Sequence, residues 1–430
     1  MIKRWLSQAN PWLFSLYCMF AAFSTYFCMY AFRKPYGAAT YEGLEFFGTG
    51  MTLKGAFLIS QIIGYTISKY WGCKFCSEIN RASQAKALIL MIVIAEIALL
   101  CFALVPNDFK VLAIFINGLP LGMVWGLVSR YLEGRGTTEL LFAGLSCSYI
   151  FASSSVKTVG AWVMGFGVPE FWMPVTVGAI FLLPFFVSVF FLDKLPPPSD
   201  EEVISRSKRT VMGGKERKAF MKQFFLGMVF LLVIYFFITA YRDFRDNYMP
   251  EVFRDMGYEA EPTLFSKADY PTGVGVMIVL ALLNLVKNHR RGLLAVFGVM
   301  ISGMLIMIGA TLLKDQEKIS GLTWMILIGF GGYLAYVPFG AVLFERVIAS
   351  TKAAGTAVFA IYVADAVGYT GAVGVQLYKD FGQPNLNYYD FLRQFTYLMA
   401  FGGIILFISS MIYFYRKTIP DKELKGAKVD

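Results

Sequence analysis

Apolar runs of about 17–25 residues recur from one end of this chain to the other, each long enough to cross roughly 30 Å of hydrocarbon as a helix. In lipid every backbone N–H and C=O must be satisfied within the protein, which leaves only helices and closed barrels as spanning structures. The period-2 alternation of barrel strands is absent, so the runs read as helices. With 57% hydrophobic and only 16% charged residues, a soluble globule of this size would lack polar surface. The expected fold class is therefore an all-α membrane protein.

The runs place twelve transmembrane helices at 13–33, 53–73, 87–105, 111–131, 139–165, 172–192, 222–248, 273–288, 292–313, 322–345, 353–378 and 395–415. An even number puts both termini on one side. Lys3, Arg4, Lys74, Arg81, Lys86, Arg135, Lys287, Arg290, Arg291, Lys352, Arg416 and Lys417 then share that side, and the positive-inside rule makes it the cytoplasm. The same rule accounts for the net charge of +10: the basic residues sit in short gaps between apolar runs, and no nucleic-acid partner is implied. The expected location is the inner membrane, and the first run lacks the small-residue site of a cleaved signal peptide.

One stretch breaks the pattern. Residues 193–221 open with Pro196-Pro197-Pro198, continue with Asp200, Glu201 and Glu202, and end with Arg206, Lys208, Arg209, Lys215, Arg217 and Lys218. This reads as a solvated cytoplasmic linker between a six-helix half, 1–192, and a second half with a short tail, 222–430. The halves carry a trace of repetition: Tyr26-Phe27-Cys28-Met29-Tyr30-Ala31-Phe32-Arg33 aligns without a gap on Tyr235-Phe236-Phe237-Ile238-Thr239-Ala240-Tyr241-Arg242. Transporter folds are often built from such repeats.

A charge inside a span is costly unless it faces a wet cavity, a partner or the interface. Arg33 and Lys34 end the first span, Lys69 lies late in the second and Lys157 deep in the fifth; Arg242, Asp243, Arg245 and Asp246 crowd the seventh, and Asp365 sits within the eleventh. The excess is cationic, which points to an anionic ligand. Snorkelling at a helix end is the bland alternative for Arg33, Lys34 and Lys69, and internal neutralisation is the alternative for Lys157 and Asp365. Within the seventh span, neighbouring residues such as Arg242 and Asp243 are expected not to face each other, whereas i,i+3 and i,i+4 pairs such as Asp243–Asp246 or Arg242–Asp246 can meet.

Other chemistry is poorly served. Cys73 and Cys76 have redox or zinc spacing but no second pair of ligands, and His289 is the only histidine. No Walker-type Gly-Lys-Ser/Thr, HExxH or Ser/His/Asp constellation occurs, so neither an enzyme nor a cofactor nor a metal is expected. Gly118, Gly122 and Gly126 at four-residue spacing, and Gly329, Gly331 and Gly332, read as sites of close helix approach.

Taken together these residues resemble the major facilitator superfamily, and within it the organophosphate:phosphate antiporters that import glycerol-3-phosphate or hexose phosphates. The resemblance is carried by Phe32-Arg33-Lys34-Pro35-Tyr36-Gly37-Ala38-Ala39, by Tyr65-Thr66-Ile67-Ser68-Lys69, and by Arg242 eight residues before Pro250. The stretch from Ile328-Gly329-Phe330 through Tyr336-Val337-Pro338 to Lys352-Ala353-Ala354-Gly355-Thr356-Ala357 adds to it. It implies two pseudo-symmetric six-helix halves, with Arg33 and Arg242 clamping a substrate phosphate and Lys69 assisting. Beyond what the resemblance implies, Lys34, Arg245 and Lys157 are candidate further binding cations and Asp243, Asp246 and Asp365 candidate coupling or specificity residues, in a carrier expected to work by alternating access. The chain departs from the family in lacking a histidine between Ser146 and Lys157 and a clean Asp-Arg motif between Gly72 and Arg81. The expected partners are a small anionic solute, inorganic phosphate as counter-substrate, and membrane lipid, handled by a monomer. Proton coupling instead of phosphate exchange, and a receptor that binds without transporting, remain open alternatives at this stage.

Overall fold

The computed structural model describes all residues except 1–4, 7, 134, 136, 137, 198–213, 260, 352–356 and 419–430. Its architecture is all-α. Among the described residues the extended pairing consists of one isolated bridge between Glu45 and Thr52.

Among the described residues twelve long helices follow one another: α1 (Pro11–Met29), α2 (Leu53–Glu78), α3 (Arg81–Leu104), α4 (Lys110–Leu132), α5 (Thr138–Gly165), α6 (Met173–Asp193), α7 (Phe225–Asn247), α8 (Leu264–Asn284), α9 (His289–Asp315), α10 (Gly321–Pro338), α11 (Ala357–Leu377) and α12 (Tyr388–Lys417). Polar caps set several starts by accepting backbone N–H groups that lack a helical partner. Thr52 accepts from Gly55, Asn288 from Arg291, Ser320 from Thr323 and Asn387 from Asp390. Pro35 ends the first span early: α1 stops at Met29, and a 3-10 turn over Tyr30–Phe32 carries the chain to Arg33. The eighth span shows the largest departure from the sequence expectation, since α8 begins at Leu264 rather than 273. Lys267, Asp269 and Pro271 lie in that opening and conceal it from a hydropathy reading.

Among the described residues eight helices are long and apolar enough to cross a membrane: α1, α3, α4, α6, α7, α9, α10 and α12, the first, fourth and tenth together with the short helical segments beside them. The remaining four hold Lys54 and Lys69 (α2), Lys157 (α5), Lys267 and Asp269 (α8) and Asp365 (α11). They are the second and fifth members of each set of six. Lipid-facing surface is plain on α3 and α6, where Leu90, Ile97, Leu104, Ile180, Leu183 and Phe190 are exposed.

The chain divides into two compact units. One comprises Met1–Ser207, Asp246–Asp269 and Gln376–Asn385; the other comprises Lys208–Arg245, Tyr270–Val375 and Leu386–Asp430. The first unit thus includes the tip of α7, the short helix Met249–Asp255, the start of α8 and the segment after α11. Inside it, α2 and α4 approach closely at glycines: a methyl group on Gly118 would lie 2.6 Å from the Gln61 carbonyl oxygen, and one on Gly122 2.5 Å from that of Tyr65. In the second unit Gly303 of α9 and Gly331 of α10 meet in the same way.

Candidate functional site

In the first unit the cations expected at the end of α1 and within α5 converge on one aspartate. Lys34 Nζ lies 2.8 Å from Asp246 Oδ2 and donates to Asn247 Oδ1 at 2.9 Å. Lys157 Nζ contacts both Asp246 Oδ1 and the Asp246 backbone carbonyl, and Ser153 Oγ donates to the same carboxylate at 2.7 Å. All five side chains are buried. A second buried pair lies nearby in the chain, Lys54 Nζ with Glu251 Oε1 at 2.6 Å, and Lys54 also donates to the Gly37 carbonyl at 3.3 Å. Asp380 completes the set: its Oδ2 rests so close to Gly55, in the first turn of α2, that a methyl group there would overlap it, and Gln376 Nε2 donates to it at 3.0 Å. Removing one partner from such a buried pair leaves an uncompensated charge, which is why these contacts hold elements together.

Arg33 and Lys69 share a different environment. The Arg33 guanidinium sits 4.0 Å from the centroid of the Tyr65 ring and 5.8 Å from that of Tyr30, while Lys69 Nζ lies 5.3 Å from Tyr65. Arginine stacks well on aromatic faces because its delocalised plane is weakly hydrated. An amide network fixes the backbone beneath: Gln61 Nε2 donates to the Arg33 carbonyl and to Asn117 Oδ1, Asn117 Nδ2 donates to the carbonyls of Phe32 and Ala95, and Tyr36 Oη donates to Gln61 Oε1, all at 2.9–3.0 Å. Gln61 and Asn117 escaped the sequence reading because they carry no charge. An amide within an apolar run was the available signal.

In the second unit Arg242 repeats the arrangement, its guanidinium 4.3 Å from the centroid of Tyr336. Tyr336 stacks on Tyr235 with centroids 5.5 Å apart, and Tyr235 Oη donates to Asp365 Oδ1 at 3.0 Å. Arg242 Nη2 pairs with Asp243 Oδ1 at 2.8 Å, which corrects both expectations about this segment. The long arginine curls round the helix to its immediate neighbour, and Asp246 is engaged by lysines rather than by Arg242. Arg245 turns elsewhere: Nη2 donates to the Met325 carbonyl at 2.9 Å, and Gly329 leaves room for its guanidinium. Arg245 therefore ties α7 to α10.

The structure thus brings together Lys34, Lys157 and Asp246, joins Arg33 with Lys69, and joins Arg242 with Asp243 and, through two tyrosines, Asp365. Lys352–Thr356 of the α11 signature and the side chain of Cys73 lie outside the described residues, and Cys76 is a free thiol. Among the described residues no three His, Cys, Asp or Glu side chains converge as a metal site would require.

Comparison with solved structures places the fold. A D-xylose-proton symporter superposes with a TM-score of 0.64 over 96% of this chain and 98% of its own, at 15% identity. The nucleoside transporter NupG gives 0.59 over 93% and 98%, at 15% identity. A bacterial homologue of the human drug peptide transporters PepT1 and PepT2 gives 0.56 over 93% and 97%, at 11% identity. At such identities the likeness is one of fold, and the fold is that of the major facilitator transporters. No curated protein matches the chain in sequence. A family described as one of unknown function, DUF5690, matches residues 35–417, nearly the whole of the membrane-spanning region, and the chain belongs to that family.

Proposed function

We propose that this protein is a secondary transporter of the inner membrane that carries a small anionic, phosphorylated solute by alternating access. The observation supporting this reading is the matched pair of arginine–tyrosine arrangements, Arg33 on Tyr65 and Arg242 on Tyr336, one in each unit. A guanidinium laid flat on a ring keeps its N–H edge for an oxyanion and offers two parallel donors to phosphate oxygens. Lys69 adds a point charge beside the first arginine. The transporter fold agrees with such a role, as does the resemblance of these segments to the organophosphate:phosphate antiporters.

In this reading Lys34 and Lys157 serve Asp246 rather than the solute, and Asp243 and Asp365 set the charge around Arg242. Inorganic phosphate or protons supply the opposing gradient. Both termini and the 193–221 linker lie in the cytoplasm, so a Ser207→Cys variant should stay unlabelled by an impermeant thiol reagent added outside intact cells.

Counterflow decides the main point. Proteoliposomes loaded with phosphate should accumulate labelled phosphate, glycerol-3-phosphate or a hexose phosphate above equilibrium, and empty vesicles should not. Saturable binding without accumulation would make the protein a receptor. Neither binding nor accumulation of any phosphorylated solute would end the proposal.

A further inference from the structure

One ionisable side chain in the membrane-spanning part of the first unit belongs to none of these clusters. Glu96 lies two-thirds of the way along α3, in the run Ile92-Val93-Ile94-Ala95-Glu96-Ile97-Ala98-Leu99-Leu100, on a helix whose neighbouring side chains Ile94, Ile97 and Leu100 are exposed as lipid contacts would be. Its Oε2 is buried and has no hydrogen-bond partner among the described residues. The carboxyl group is seated against Gly178 of α6: a methyl group at that glycine would overlap Oε2 and come within 2.8 Å of Cδ and 3.0 Å of Oε1. The absence of a side chain at residue 178 is therefore what makes room for the acid.

Among the described residues no cation answers it. The charged and titratable groups on the elements packed against α3 have other engagements. Lys110 of α4 donates to the carbonyls of Phe102 and Ala103, Arg130 of α4 to those of Cys76 and Ile79, and Tyr131 of α4 to Asp193 of α6. Tyr30, in the turn after α1, packs edge-on against Tyr26 and beside Arg33. On α3 itself Arg81 reaches the carbonyls of Leu195 and Pro196, Lys86 lies near the helix start, and Cys101 is exposed. An ionised carboxylate in hydrocarbon without a counter-charge or donors is strongly disfavoured, whereas the neutral acid is tolerated.

We propose that Glu96 is a proton-binding site within the membrane, carrying a proton on its carboxyl group in the conformation described. The proton comes from water and neutralises the carboxylate, and its release to water restores the charge. The site is also placed to be felt elsewhere. The preceding carbonyl, that of Ala95, is the one Asn117 holds, and Asn117 is joined through Gln61 to the backbone of Arg33. If the protein is the transporter proposed above, Glu96 is where a proton gradient enters the cycle; that consequence rests on the transport reading, while the protonation itself does not.

The test is infrared spectroscopy of the full chain in lipid nanodiscs across a pH titration. The parent should show the carbonyl stretch of a protonated carboxylic acid that persists to higher pH than exposed carboxyls allow, and Glu96→Gln should lack it. Gly178→Ala, which crowds the carboxyl from its seat, should shift the pH at which the band disappears. In the parent alone, dicyclohexylcarbodiimide, which enters bilayers and adds to protonated carboxyls, should modify the Glu96 peptide as read by mass spectrometry. A band unchanged in Glu96→Gln, or a Glu96 peptide that stays unmodified at acid pH, overturns the proposal. Proton-driven accumulation of phosphate, measured separately, should fall at least tenfold in Glu96→Gln. A parent that transports nothing refutes the transport reading and leaves the infrared result to judge Glu96.

Discussion

The aspartate of the first unit and the arginine of the second sit four residues apart on the same helix, yet their surroundings differ in kind. Asp246 is a hub: two lysines and a serine hydroxyl satisfy it in buried surroundings, Lys34 from the turn after α1 and Lys157 and Ser153 from α5. Arg242 has one carboxylate beside it and an aromatic face beneath it. In the first case the charges are spent on one another. In the second the guanidinium lies over a ring, its carbon 4.3 Å from the centroid, beside the Asp243 carboxylate, an arrangement that does not use all of its five donors. In the proposed reading the difference separates charges that fasten elements together from charges kept for a solute, although both look alike as residues in a sequence.

The sharpest way to break this comparison is to remove the hub. Asp246→Asn would leave Lys34 and Lys157 buried without their shared counter-charge, and losses of about 3–5 kcal/mol are typical when one partner of a buried pair is removed. The expected result is a large drop in thermal stability in detergent, partly recovered when Lys157→Met is added. An Asp246→Asn protein as stable as the parent would show that the cluster does not fasten the first unit.

How much of this was legible beforehand follows from the range of each interaction. Hydropathy is local, so the helices and their order could be read from the chain, while the starts of α3, α8 and α12 were placed six to nine residues late because Arg81 and Lys86, Lys267 and Asp269, and Asp390 and Arg393 lie in those openings. Pairing is not local. Lys34 and Asn247 stand 213 positions apart, and Lys157 and Asp246 stand 89 apart, so the sequence showed costly charges without showing which answered which. Lys54 lay inside an expected span and Glu251 just beyond one, and neither stood out because each is one charge near a helix end. Glu96 could have been found by the rule that marked Asp365, an ionisable group in an apolar run. The matched positions of Arg33 and Arg242 were readable, but the tyrosines under them come from other helices, α2 and α10, and only the fold supplies them.

The arginines give the second prediction. Arg33→Lys and Arg242→Lys keep the charge but lose the planar fork, and each should weaken binding of phosphate or a sugar phosphate roughly tenfold or more, equivalent to about 1.4 kcal/mol or more. Their thermal stability should stay close to that of the parent, unlike that of Asp246→Asn. Isothermal titration alongside a melting curve separates the two effects. Unchanged affinity in both folded variants would reduce the arginines to helix-end charges.

A smaller effect sharpens the description of the first unit. Burial pushes the Glu251 carboxyl above the usual carboxylate range, against the pull of Lys54 and Arg254, and burial also raises Asp380, against Gln376, Lys379 and Thr52. A group that binds its proton more tightly when folded contributes stability that is full below the unfolded carboxylate value, near about 4, and is lost as pH rises through the folded value. Each tenfold tightening is worth about 1.4 kcal/mol. Melting curves in detergent should therefore show this contribution fading with rising pH above about 4, and Glu251→Gln and Asp380→Asn should each flatten the profile. A profile of unchanged slope in both variants would count against these carboxyls as its source.

Asp365 is where the comparison is most delicate. Its carboxylate accepts a hydrogen bond from Tyr235, Tyr235 stacks on Tyr336, and Tyr336 carries Arg242, so the residue acts on the arginine through two rings. Asp365→Asn retains an oxygen that can accept from Tyr235, so stability should fall by no more than about 1 kcal/mol, the net worth of one hydrogen bond. What it removes is a negative charge from the neighbourhood of Arg242. Anions should then bind more tightly, by less than the tenfold loss expected for Arg242→Lys, and the preference between singly and doubly charged phosphate esters should shift toward the latter. Affinity measured for both ester charges across pH, with a melting curve as control, tests this. A collapse in stability comparable to that of Asp246→Asn would place Asp365 among the fastening charges, and affinities unchanged at every pH would detach it from the arginine altogether.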